Sequence, residues 1–451
     1  MSTKKLTFEA YKLITDELWR SGGGSTALKN LALVSRPFLD LCRAYLFRQV
    51  TIVIRSEGWS TYTKDKTQYL TPYCEKHAIS FYMFLVTRPH ILRYVRSLEL
   101  ISENENRGFH PRDGWNAVVP CLVTLLNSIK RLHFLDIIAT AGTSSNWHTL
   151  DPEIQRALIF LVQRQEGQPI SLGLFAVMGV GERDFLTFLT ACTDVRLYFV
   201  ELWPLPSCPF PWIFPSGSLL SLKVGPCTEL GTFSSSALLS DRNWLNGLQR
   251  LTLETIPHNL EAYWAIALAC RGTLCHLLWR LVVSPTSGSY QPVLRLSAHF
   301  KYLDPRELWD YKVELAHFPK LRTITLQTSI HAGLDNIFQI LSSVGPENRI
   351  HILRITLDGP GLCPSQCPCV FDVPRALSWT NLQGLLADEK FKNLRKIFLV
   401  FNWSPQFIAS NACNPNATQL DDVLSKLTDP RLVVVHQTFA PVGVRPRRPY
   451  N

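Results

Sequence analysis

Leu248-Gln249-Arg250-Leu251-Thr252-Leu253 is the six-residue stretch on which the fold turns. An aliphatic residue is followed by two others, an aliphatic, one other and an aliphatic. The last three positions alternate, as in a strand with one buried face. The same spacing returns along the chain as Val95–Leu100, Ile129–Phe134, Leu219–Val224, Leu274–Trp279, Leu321–Leu326, Ile352–Leu357 and Leu394–Leu399, with weaker copies at Ile170–Leu174 and Val195–Phe199. Helical candidates fall between the copies at Glu153–Gln163, Asp184–Ala191, Leu260–Cys270 and Leu334–Ser342. Strand, helix and strand in repetition predict parallel strands stacked side by side, with leucines of successive copies sharing one core. The spacing of the copies is irregular and wider than the usual period of such repeats.

In this frame the residues between the leucines point away from the core. The predicted outward set comprises Ser97, Glu99, Arg131, His133, Arg250, Thr252, Thr323, Thr325, Arg354, Thr356 and Lys396. Glu99, Arg131, His133, Arg250, Thr325 and Arg354 are the positions expected to meet a target on a concave face. That face is polar with a basic tilt, which suits an acidic or polar partner.

The front of the chain reads differently. Phe8–Trp19 carries Phe8, Tyr11, Ile14 and Leu18 at helical spacing. Gly22–Gly24 interrupts it. Ser25 or Thr26 is placed to cap a second helix through Leu28, Leu31, Ala32 and Val34. Pro37 ends that helix, because it lacks an N–H and pushes Arg36 towards extended backbone. Ser35 is placed to cap a third helix with Phe38, Leu41, Cys42 and Tyr45 on one stripe. Leu46–Ile52 then turns to a β-rich pattern. Three helices in so short a span bury little surface, so part of their apolar face is expected to dock on something else.

Composition bounds the rest. The 451 residues are 46% hydrophobic and 18% charged, which excludes a chain disordered throughout. The sequence has no apolar run of transmembrane length and no signal-peptide core, so the expected location is cytoplasmic or nuclear. The 12 cysteines lie mostly in apolar segments and read as buried thiols. The net charge of +10 has no dense basic block behind it except Val444–Pro449. It reads as a basic surface for acidic protein partners and not as a nucleic-acid binder. The sequons at Asn402 and Asn416 carry little weight without a secretory signal.

The candidate chemical segments are weak. Cys363, Cys367 and Cys369 lack the second ligand pair of a structural zinc site. Cys270 and Cys275 read as packing residues. Met178–Glu182 holds a Gly-x-Gly without the rest of a phosphate loop, and reads as a turn before a helix. Trp203–Pro215 is rich in proline and aromatic residues and reads as a loop packed on the repeats, or as a target-contacting insertion. No catalytic residue, metal site or cofactor is expected.

Leu31-Ala32-Leu33-Val34-Ser35-Arg36-Pro37-Phe38, followed by Leu46-Phe47-Arg48-Gln49-Val50-Thr51-Ile52, resembles the F-box of divergent fungal-type proteins with leucine-rich C-terminal regions. The counterpart of the usual Leu-Pro-acidic start is Leu6-Thr7-Phe8-Glu9, without the proline. The resemblance implies an α/β chain with a short three-helix F-box-like unit over 1–54, a connecting segment over 55–90, an irregular leucine-rich-repeat-like solenoid over 91–440 and a basic tail over 441–451. It also implies a non-catalytic substrate receptor of an SCF-type cullin–RING ubiquitin ligase. Leu6, Leu31, Leu33, Val34, Phe38 and Leu46 would shape the surface for the adaptor subunit, and through it a cullin. The target stays unnamed. The alternative is a repeat scaffold with no ubiquitin role.

Overall fold

The computed structural model describes residues 7–20, 24–55, 85, 87–103, 115–139, 145–165, 168–203, 219–225, 242–255, 260–281, 314–329, 335–358, 382–403 and 429–438. Three helices come first: α1 Phe8–Arg20, α2 Gly24–Ala32 and α3 Arg36–Leu46. Strands and helices then alternate as β1 Gln49–Arg55, β2 Ser97–Glu103, α4 Trp115–Ser128, β3 Phe134–Ala139, α5 Pro152–Gln163 and β4 Ser171–Phe175. They continue as α6 Glu182–Ala191, β5 Asp194–Tyr198, β6 Ser221–Val224, β7 Arg250–Thr255, α7 Leu260–Ala269 and β8 His276–Leu281. The last are β9 Thr323–Ser329, α8 Asp335–Ser342, β10 Ile352–Asp358, β11 Lys396–Trp403 and β12 Leu432–Thr438. The fold is α/β, and β1 to β12 form one parallel sheet of 12 strands in simple chain order. Two small parallel pairs, Ser145–Asn146 with Val177–Met178 and Val180–Gly181 with Leu202–Trp203, lie outside it. The chain divides into two compact units, the first running to Val195 and the second resuming at Pro206 with Arg196–Phe199 attached.

The expected strands are present, but shifted along the pattern. In Leu248–Leu253 the first leucine is buried ahead of β7, and the strand begins at Arg250 and runs on to Thr255. Leu219, Leu274, Leu321 and Leu394 are likewise buried just before β6, β8, β9 and β11. The copy at Ile129–Phe134 departs furthest. Ile129 and Leu132 are buried before the strand, and β3 begins at Phe134, which is 44% exposed. Arg131 and His133 therefore precede β3 instead of lying within it. Leu135, Ile137 and Ala139 form its buried face, and Asp136 takes the opposite side.

One backbone bond explains how irregular spacing gives a regular sheet. The carbonyl just before a strand accepts two N–H groups of the next strand's entry. The Gln249 carbonyl accepts from Cys275 at 2.9 Å and His276 at 2.9 Å, and the Cys275 carbonyl from Arg322 at 2.8 Å and Thr323 at 3.1 Å. The Arg48 carbonyl does the same in the first unit, accepting from Arg96 and Ser97 at 2.9 Å each. The carbonyls of Arg96, Ile170, Leu220, Arg322 and His351 repeat it, so these entries are fixed on the preceding strand whatever length of chain lies between.

The helices follow from local sequence. Asp151 caps α5 by accepting from the Glu153 N–H at 2.8 Å, with Pro152 in the first position. Ile154, Ala157, Leu158, Leu161 and Val162 are its buried stripe. α4, with Pro120 inside it, and β12 go beyond the expected elements. At the front, α2 begins at Gly24, so Ser25 and Thr26 sit within the helix and not at its cap. Ser35 does occupy the cap position of α3 with extended backbone, but its hydroxyl makes no capping bond.

Candidate interaction surfaces

The three N-terminal helices pack around Leu28, Phe38 and Cys42, with Tyr11, Leu18, Leu31, Ala32, Tyr45 and Leu46 against them. The Tyr11 ring meets Phe38 edge-on at 4.6 Å, and the Tyr45 hydroxyl bonds to Asp16. Thr15 takes the buried position on α1, its hydroxyl donating to the Tyr11 carbonyl at 2.8 Å. Phe8 and Ile14, expected on the buried stripe, are exposed instead: Phe8 is 60% exposed, and Leu13 on the far side is 68% exposed.

This core sorts the residues expected to shape the adaptor surface. Phe38 is buried, and Leu31 and Leu46 pack on the core. Leu33 and Val34 stand out in the turn between α2 and α3, 86% and 71% exposed. That turn is held by the Leu33 N–H to the Asn30 carbonyl and the Val34 N–H to the Leu31 carbonyl, at 3.1 and 3.0 Å. Two adjacent large aliphatic side chains are therefore presented on a fixed backbone. Leu6 lies outside the described residues.

The second candidate surface is the sheet face opposite the leucine core, in the second unit. Register places its side chains in rungs. Arg250, His276, Thr323, Ile352 and Lys396 face one another across β7 to β11, and Thr252, Leu278, Thr325, Arg354 and Phe398 form the next rung. Towards the strands' C-terminal ends a polar network crosses the sheet. Lys223 Nζ lies 2.9 Å from Glu254 Oε1, and Arg280 bridges Glu254 at 3.7 Å and Asp358 at 3.4 Å. Gln327 Nε2 donates to both Asp358 oxygens at 3.0 and 2.9 Å. Asn402 Nδ2 donates to Asp358 Oδ1 at 2.7 Å, and Gln437 donates to Asn402 Oδ1. Burial alone would lower the Lys223 ammonium, but the Glu254 carboxylate and the Tyr198 hydroxyl outweigh it and hold it above the usual lysine range. The network is internally neutral, two cations against two carboxylates.

The N-terminal rim of the same face is different. Arg250, Arg322, Arg354, Arg395 and Lys396 are all exposed, and none makes an ion pair with a described acidic residue. The Arg354 guanidinium rests 5.9 Å from the centre of the Phe398 ring. His276 is held below the usual imidazole range by burial, then by the Arg250 and Arg322 charges beside it.

Of the residues expected on the target face, Arg250, Thr325 and Arg354 share this surface, with Arg250 and Arg354 exposed and Thr325 half-buried. Glu99 lies in the first unit, half-buried, accepting from Thr51 Oγ1 at 3.0 Å. Arg131 and His133 stand ahead of β3. The members of the polar network beyond the six-residue pattern went unrecognised in sequence. Glu254 and Arg280 each follow the last residue of a copy, and only the overrun of the strands past that copy places them on the face.

Among the described residues no three His, Cys, Asp or Glu side chains converge as metal ligands would, and no helix is long and apolar enough to cross a membrane. Cys270 is buried and Cys275 half-buried. Met178–Glu182, expected as a turn before a helix, instead joins two short strands: Met178 ends one, Gly179 lies between them with a positive φ of 69°, and Val180–Gly181 forms the other and leads straight into α6. Cys363–Cys369 and nearly all of Trp203–Pro215 lie outside the described residues. No family model matches the chain, and no curated protein matches it either.

Proposed function

We propose that this chain is a non-catalytic substrate receptor of an SCF-type cullin–RING ubiquitin ligase. Its three N-terminal helices bind the adaptor subunit, and its parallel-sheet region binds a target protein. The observation that carries this reading is the exposure of Leu33 and Val34 within Leu31–Phe38, the segment that resembles an F-box. Two adjacent large aliphatic side chains held on a fixed turn offer apolar area that a partner can remove from water. Burying each contributes about 1.5–3 kcal/mol. Exposed Phe8 and Leu13 on α1 add apolar surface to the same small unit.

The contribution to ubiquitin transfer is proximity. A receptor that holds the target on one region and the adaptor on another raises the effective concentration of target lysines near the loaded enzyme. No side chain of this chain then takes part in bond making.

Affinity purification from cells tests the reading. The wild-type chain should bring down an adaptor and a cullin, and Leu33→Asp with Val34→Asp should lose both while remaining folded. Wild-type chain that purifies without either protein would leave the scaffold alternative.

A further inference from the structure

We propose that the N-terminal rim of strands β7 to β11 is the binding site for an extended acidic peptide segment, with Arg250, His276, Arg322, Arg354 and Lys396 as its contacts. This deepens the receptor reading, and rests on it for taking the peptide as part of a target.

The sheet face carries cations at both ends of its strands, but they differ in state. Lys223 and Arg280 are consumed by Glu254 and Asp358. The rim cations have no described carboxylate to meet, although the strand ends that carry them are neighbours in register. Like charges gathered on a rigid row repel one another, and a bound anion relieves that repulsion. His276 shows the crowding, because Arg250 and Arg322 both disfavour its charged form.

Neighbouring strands lie about 4.8 Å apart, so β7 to β11 spans about 19 Å. An extended peptide rises about 3.3 Å per residue and presents every second side chain to one side, so about six residues cross the row with acidic groups at alternate positions. Arg250 and His276 would serve one end, Arg322 at the entry to β9 the middle, and Arg354 and Lys396 the other end. Arg354 is already propped on Phe398, which reduces the ordering it must undergo on binding. Thr323 and Thr325 present short side chains on the central strand that let a backbone approach.

A peptide fits better than a nucleic acid. Single-stranded nucleic acid wants aromatic rings on which bases stack. The only aromatic ring on these two rungs besides His276 is Phe398, and Arg354 covers it.

Fluorescence anisotropy with the full-length protein tests this. The probes are a labelled peptide of alternating Glu and Ser, its Gln-Ser counterpart, and oligothymidine of matched charge. The Glu peptide should bind, more weakly as salt rises, and the Gln peptide should not. Arg250→Glu with Arg354→Glu and Lys396→Glu should weaken the Glu peptide by about thirtyfold, with an unchanged circular dichroism spectrum. Leu33→Asp with Val34→Asp should leave peptide affinity intact, so adaptor docking and peptide binding fail or stand separately. Equal binding of the Gln peptide, unchanged binding by the folded triple variant, or tighter binding of oligothymidine than of the Glu peptide would overturn the proposal.

Discussion

Asn402 and Asp358 face each other in register across β10 and β11, and the Asn402 amide donates to the Asp358 carboxylate at 2.7 Å. Asn402 is only 5% exposed. Its Asn-Trp-Ser sequon is therefore closed in the folded chain, and the residue serves the sheet by linking Gln437 on one side to Asp358 on the other.

Asp358 is the hub of that network, since Arg280, Gln327 and Asn402 all converge on it. Asp358→Ala leaves three donors without their acceptor and should cost about 2–3 kcal/mol in urea unfolding. Asp358→Asn keeps an acceptor oxygen but not the charge, and should cost about 1 kcal/mol. An Asp358→Asn variant as stable as wild type, or an Asp358→Ala variant that loses nothing, would remove the carboxylate from the account of the sheet's stability.

Gly225 makes room for Tyr198. A Cβ at this position would lie 2.1 Å from the tyrosine ring. Its backbone is also engaged, with the N–H donating to the Leu197 carbonyl and the carbonyl accepting from Tyr263 Oη at 3.0 Å. Gly225→Ala should destabilise by about 1–3 kcal/mol, and combining it with Tyr198→Ala should recover most of the clash. A double-mutant cycle in thermal unfolding reads the coupling, and additive losses would contradict the steric assignment.

Arg431 closes the turn before β12. Its guanidinium pairs with Asp429 and donates to the carbonyls of Leu386 at 2.9 Å and Phe391 at 3.2 Å. The Arg431 hydrogen bonds hold the Asp429 carboxyl below its usual range. A carboxylate with a depressed folded-state pKa stabilises above its unfolded value, about 4, and that contribution is lost as pH falls further. Asp429→Asn should therefore reduce stability at neutral pH and flatten its fall below pH of about 4. An unchanged acid limb would remove Asp429 from the explanation.

The buried thiols should be inert. Burial pushes Cys270 up to about 12, and raises Cys192 together with the nearby Asp194 charge. Native protein treated with a thiol reagent at neutral pH should be labelled at neither, and urea should expose both. Rapid native labelling of Cys270 would contradict its place in the core.

Much of the fold was legible because its signal is local. Leu251, Leu253, Ile324, Leu326, Ile397 and Leu399 alternate as inward strand residues must, and all are buried. The register at Phe134 was not legible. Leu132 and Phe134 match the pattern, but the longer run Leu135, Ile137, Ala139 wins the core and turns Phe134 outward. The N-terminal helices show the same limit. Spacing alone cannot tell Ile14 from Thr15 as the buried residue, and the packing of α2 and α3 chose Thr15. The basic rim was legible only in part. Its residues come one or two per repeat, far apart in the chain, so no basic block marks them; only strand pairing sets His276 beside Arg250 and Arg322.

The receptor reading stands or falls on Leu33 and Val34. Isothermal titration of purified full-length chain with purified adaptor subunit measures it directly. It predicts a one-to-one complex for the wild type, and a loss of at least about a hundredfold in affinity for Leu33→Asp with Val34→Asp. Folded wild-type protein that binds no adaptor, or a double variant that binds it equally well, would contradict it.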